Sequence, residues 1–113
     1  MVELALDARG IPDGTETPTP ARDGPLGNIG YDNSFALSQQ QASFSISGAG
    51  YTIAIEFKGG FPYAQIFAPR DKEFIAIEPM TAATNALVSG QGLQTIEPGE
   101  QFAASFRIAI NTL

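Results

Sequence analysis

The chain contains no cysteine, no histidine and no tryptophan. Without cysteine there is no disulfide, no thiolate nucleophile and no thiolate-bound zinc. Without histidine, neither Ser–His and Cys–His nucleophiles nor imidazole metal sites can be assembled from this chain alone. Charge is also scarce and of one prevailing sign: 6 Lys+Arg stand against 12 Asp+Glu, a net −6. No basic run exists to gather a polyanion, so nucleic acid is not an expected partner. No apolar stretch approaches the roughly 20 residues that a bilayer span needs, so no membrane partner is expected either. The opening Met1-Val2-Glu3-Leu4 has neither the basic start nor the long apolar core of a signal peptide. The expected location is the cytoplasm. No Asp-x-Asp-x-Asp loop offers calcium ligands, and no Gly-rich phosphate loop leads into a helix. No metal and no cofactor is expected.

What the chain does have is apolar residues, 43% of its 113, with 8 Phe and 3 Tyr. That is enough for one small domain with a modest core, 1–113, and too hydrophobic for a disordered chain. Residues 8–34 are dense in Gly, Pro, Asp and Asn and read as a long loop, which in a small domain is functional or covers something. Period-two patterning follows. Phe44 and Ile46 alternate with serines, Ser47-Gly48-Ala49-Gly50 is a turn, and Tyr51, Ile53, Ile55 and Phe57 alternate with polar or small residues. This predicts a β-hairpin with one buried face. Further strands are expected at 63–68 and 74–78, a single helical turn within 80–92, a turn at 96–100, and a last strand with Phe102, Ala104, Phe106, Ile108 and Ile110 on one face. The fold class is therefore all-β, an antiparallel β-sandwich or part of one. Few strands for a closed sandwich leave unpaired edges, which predicts a homodimer or larger homo-oligomer.

Two carboxylates stand out by context. Asp32 sits in Gly30-Tyr31-Asp32-Asn33-Ser34-Phe35, where a Gly-rich loop enters a strand; its plain reading is an Asx-turn closed on its own backbone. Glu78 ends Phe74-Ile75-Ala76-Ile77-Glu78 and precedes Pro79-Met80-Thr81. A carboxylate on a largely apolar strand calls for a partner or a task. Pro79 biases it toward extended geometry and aims it off the strand end. The plain alternative is a solvated glutamate at a fraying end.

These segments resemble a known family. "FIAIEPMTAATNAL" (74–87), followed by "GLQTIEPGEQFAASFRIAI" (92–110), is similar to the C-terminal part of the aldose 1-epimerases, the galactose mutarotases. "GYDNSFAL" (30–37), "YAQIFAP" (63–69) and "RGIPDGTETP" (9–18) are similar to its upstream segments. The resemblance implies part of a galactose-mutarotase-like β-sandwich that binds a small-molecule sugar, an aldose. It implies that Glu78 matches the general base, that Asp32 matches a residue holding sugar hydroxyls, and that Gln65 lies on a cleft-lining strand. Family members are more than twice this length, and their general acid is a histidine in the N-terminal portion. The expectation is a carbohydrate-binding domain with catalysis weak or absent. The alternatives are an active isomerase, interconverting α and β anomers from an oligomer with Glu78 as base, and a non-catalytic structural or interaction module.

Overall fold

The computed structural model describes residues 1–20 and 22–113. Among the described residues eight strands and one short helix follow in order: β1 (Val2–Leu6), β2 (Pro12–Pro18), β3 (Tyr31–Ala36), β4 (Ala42–Gly48), β5 (Tyr51–Gly59), β6 (Tyr63–Ala68), β7 (Ala76–Met80), α1 (Ala86–Ser89) and β8 (Ser105–Thr112). They form two antiparallel sheets. The first has the order β2-β1-β3-β6-β7 and the second β4-β5-β8. The result is all-β and sandwich-like, as the alternation predicts.

The β4–β5 hairpin is the most local element. Gly48 pairs with Tyr51, leaving a two-residue turn in which Ala49 (φ 51) and Gly50 (φ 85) are both left-handed. That turn matches the twist of the flanking strands. After the hairpin the chain crosses back to the first sheet through Gly60, at φ +87. A Cβ there would come within 2.7 Å of the Ala104 Cα, so only glycine fits where β5 leaves the vicinity of the segment before β8.

The long loop expected over 8–34 is corrected. Within it Pro12–Pro18 is strand β2, paired along β1, and β3 already begins at Tyr31. The turn formers are real but tighter than expected. The Asp7 carboxylate accepts from the backbone N–H of Arg9 (2.8 Å) and of Ile11 (3.2 Å), and this reverses the chain into β2. Backbone pairing with β1 then overrides the low strand propensity of Pro, Asp and Gly, at a sheet edge where Pro is tolerated. Residue 21 of the expected loop lies outside the described residues. The sequence analysis does not single out strand β1, although Val2, Leu4 and Leu6 alternate with Glu3 and Ala5 ahead of the Asp7–Gly10 turn.

Two further boundaries move. The strand expected at 74–78 runs Ala76–Met80 instead and continues through Pro79, again at an edge, where no ladder partner needs its missing N–H. The last strand starts at Ser105, not Phe102. The helical turn expected within 80–92 is α1.

The core lies mainly on one face of the first sheet, where Phe35, Ala64, Ile66 and Ala68 are buried, and on the β5 side of the second, where Phe57 is sealed; Leu4 is buried on the opposite face of the first sheet, in register with the buried Ser34. The Phe57 ring packs 5.3 Å from Phe44 and 5.7 Å from Phe61, and Phe61 reaches Phe106 at 6.0 Å, all in tilted or edge-to-face arrangements that aromatic pairs favour. The expected buried face of β8 is not buried. Phe106, Ile108 and Ile110 are 47%, 57% and 64% exposed. Alternation specifies which residues share a face; it does not supply a second layer to cover that face.

Candidate functional site

The other face of the first sheet carries the polar residues. In antiparallel register Leu4, Ser34, Gln65 and Glu78 lie side by side across β1, β3, β6 and β7. Residues in register share a face, and so do residues two apart along a strand. Asp32 therefore stands beside Ser34 on β3, and Phe67 beside Gln65 on β6. Asp32, Gln65 and Glu78, 46 positions apart in the chain at most, are brought to one patch by three adjacent strands.

Hydrogen bonds fix the centre of the patch. The Gln65 Nε2 donates to Asp32 Oδ1 at 2.8 Å. A carboxylate only accepts, so this bond sets the amide orientation and leaves Oε1 facing β3. There the Ser34 hydroxyl donates to it, also at 2.8 Å. Ser34 is buried, so this bond satisfies a hydroxyl that would otherwise be costly to enclose. The Asx-turn reading of Asp32 gives way to this pairing. The local backbone bond at this position is made by its neighbour: the Asp32 N–H donates to Asn33 Oδ1 at 2.9 Å.

Glu78 is exposed, in mid-strand rather than at a fraying end, opposite Gln65. The expectation that Pro79 aims it off the strand end is corrected: pairing of Pro79 with Ala64 and Met80 with Tyr63 carries the strand two residues further. Alternation does put Glu78 on the side of Ala76, and Phe74, outside the strand, stacks its ring edge-to-face on Phe67 at 5.8 Å.

Around these residues is an open cleft of about 410 Å³, lined by Arg9, Gly10, Asp32, Gln65, Phe67, Glu78 and Thr84. Its size is within the range of small-ligand sites. The β1–β2 turn delivers Arg9, whose Nη2 lies 3.2 Å from Asp7 Oδ2. The two backbone N–H groups of Arg9 and Ile11 hold the Asp7 carboxyl below its usual range, with the Arg9 side chain adding to them. Thr84 comes from the segment ahead of α1, tied down by the bond from the Ala83 N–H to the Gln91 carbonyl. Sequence reasoning singled out Asp32, Gln65 and Glu78 and missed Arg9, Ser34, Phe67 and Thr84 as companions. Ser34, two residues after Asp32, and Phe67, two residues after Gln65 on the expected strand 63–68, were recoverable from spacing.

Chemically the cleft offers two carboxylates as acceptors, an amide and a guanidinium as donors, and one aromatic wall. Among the described residues no cluster of three or more acidic side chains could hold a metal ion, and no helix is long and apolar enough to cross a membrane. Comparison with family models, with curated proteins and with solved structures finds no match, so the cleft is read from its own residues.

Proposed function

We propose that the chain is a carbohydrate-binding domain and that the cleft over β3, β6 and β7 takes a neutral aldose. The observation that supports this most is the convergence of Asp32, Gln65 and Glu78 from three strands onto one open patch beside Phe67. Sugar hydroxyls donate well to carboxylates in charge-assisted bonds, and an apolar ring face suits the C–H face of a pyranose. The charge balance narrows the class. Two carboxylates face one guanidinium that Asp7 already partners, so a phosphorylated or acidic sugar meets repulsion. The reading also draws on the resemblance to aldose 1-epimerases through which these three residues were singled out.

In that reading Asp32, held by Gln65, orients the ligand, and Glu78 accepts from a hydroxyl of it. Glu78 as base would give slow anomer interconversion at most, since a missing general acid typically costs about 10² to 10⁴ in rate. The test is ¹⁵N-resolved NMR titration with glucose, galactose and glucose 6-phosphate. Shifts centred on Asp32, Gln65 and Glu78 with the neutral sugars, reduced in Glu78→Gln and Asp32→Asn, are expected. No shifts at 50 mM sugar would leave the structural-module reading standing. Polarimetry on fresh α-glucose then separates binding from isomerase activity: a rate above buffer that Glu78→Gln abolishes would make the domain an enzyme.

A further inference from the structure

The second sheet presents an unfinished surface at β8. Its apolar face is continuous across the strands: Ile46, Ile53 and Ile110 lie in one row, Phe44, Ile55 and Ile108 in the next, and Phe57 beside Phe106 in a third. Cover is complete only at Phe57; Ile53, Phe106, Ile108 and Ile110 are exposed. β8 is also a sheet edge, with one side of its backbone unpaired. The edges of the first sheet are guarded, β2 by Pro12, Asp13, Glu16 and Pro18 and β7 by Glu78 and Pro79. β8, Ser-Phe-Arg-Ile-Ala-Ile-Asn-Thr, has no proline, no lysine and no acidic residue. Such an edge is a template for another strand.

The molecule has the area to spare. It exposes 7786 Å², against about 6,000 Å² for a folded monomer of 11.9 kDa. The radius of gyration is 15.3 Å, where a compact chain of this length has about 13 Å. A standard interface takes about 800 Å² from each partner, and roughly 1,800 Å² is in surplus here.

We infer that two copies of this chain pair antiparallel through β8, joining their three-stranded sheets into one six-stranded sheet with a continuous apolar face. A second copy fits because the strip is self-complementary. With Ile108 opposite its own counterpart, Phe106 meets Ile110 and every apolar side chain stays on the same face. A shift of register by one would put each against the wrong face. The single charge on the strand, Arg107, then lies opposite Ala109 and not opposite another arginine. It is already neutralised within its own chain by Glu56, 2.7 Å away. A strongly charged partner would find no complementary charge on the apolar face. The pairing leaves the cleft of the first sheet untouched, so it stands or falls independently of the sugar reading.

Sedimentation velocity from 1 to 100 µM tests it. The expected result is a species of twice the 11.9 kDa chain mass that Ile108→Lys converts to monomer with an unchanged far-UV spectrum. Because the chain has no native cysteine, single cysteines give a second readout. Ile108→Cys should oxidise to a covalent dimer, whereas Ser45→Cys, on the outer face of β4, should lag well behind. A monomer throughout the range, a dimer unaffected by Ile108→Lys, or equal cross-linking at the two positions would each overturn the proposal.

Discussion

The two sheets share a construction rule and differ in completion. In the first, one face is sealed into the core by Phe35, Ala64, Ile66 and Ala68 and the other carries the cleft. In the second, the outer face is polar, with Ser43, Ser45, Thr52, Glu56 and Arg107, and the inner face is covered at Phe57 but open along β8. The same alternation therefore yields a finished core in one place and a bare apolar strip in another. A strand's pattern declares a side; whether that side is dry depends on what stands 10 Å above it.

The sharpest test of this contrast is within one sheet face. Phe57→Ala should cost about 4 kcal/mol, the usual toll for emptying a sealed aromatic site. Ile110→Ala, on the same face but 64% exposed, should lower the unfolding free energy of the monomeric Ile108→Lys background by under about 0.5 kcal/mol. Comparable losses would mean that β8 is as well covered as β5.

Ser34→Ala moves the comparison to the first sheet. It removes the donor to Gln65 Oε1 and should cost about 1 kcal/mol by urea unfolding. It should also weaken sugar binding, because the amide that holds Asp32 loses its anchor. Unchanged affinity would show that Asp32 positions itself without the Ser34–Gln65 chain.

The smallest expected effect lies on the outer face of the second sheet. Glu56 is flanked by the Arg107 guanidinium and the Lys58 ammonium, 2.7 and 3.3 Å from its Oε2. Arg107 also donates from Nη2 to the other carboxylate oxygen, Oε1, at 3.4 Å. Arg107 first, then Lys58, lowers the Glu56 carboxyl below its ordinary value. A depressed carboxyl stabilises the fold above the unfolded pKa and loses that contribution as pH falls through the folded one. The melting temperature should thus decline below the ordinary glutamate range, and Glu56→Gln should flatten that acid limb slightly. An identical acid limb in the variant would assign the decline to other carboxylates such as Asp7.

Much of the second sheet was legible because its information is local. The alternation of Phe44 to Phe57 and the Ala49-Gly50 turn sit within one stretch of chain, and the hairpin falls where they predict. The first sheet was read only in part. β6 is expected at its observed bounds but shows no polar face, because Tyr63 and Phe67 flank Gln65 on the side away from Ala64, Ile66 and Ala68, while β3 carries small or polar residues on its cleft side. β1 and β2 form a local hairpin, but Pro12, Asp13, Gly14 and Pro18 hide its second strand behind turn formers, and its place beside β3 is a non-local pairing. At the site, Asp32, Gln65 and Glu78 were found through likeness to a family's motifs. Arg9 and Thr84 were not, because they arrive from a turn and a loop whose positions depend on strands far away in sequence.

The β4–β5 hairpin, inserted between β3 and β6, also dictates an order of events. Its two-residue turn lets it zip up in about 1–10 µs. Ser34 and Gln65 are 31 positions apart, and Glu56 and Arg107 are 51 apart. Those longer loops close more slowly, and the preformed hairpin shortens the first of them. All three strands of the cleft also leave the ribosome before β8 does. β8 joins β5 only across the longest of these closures, so the second sheet is completed later than its own hairpin.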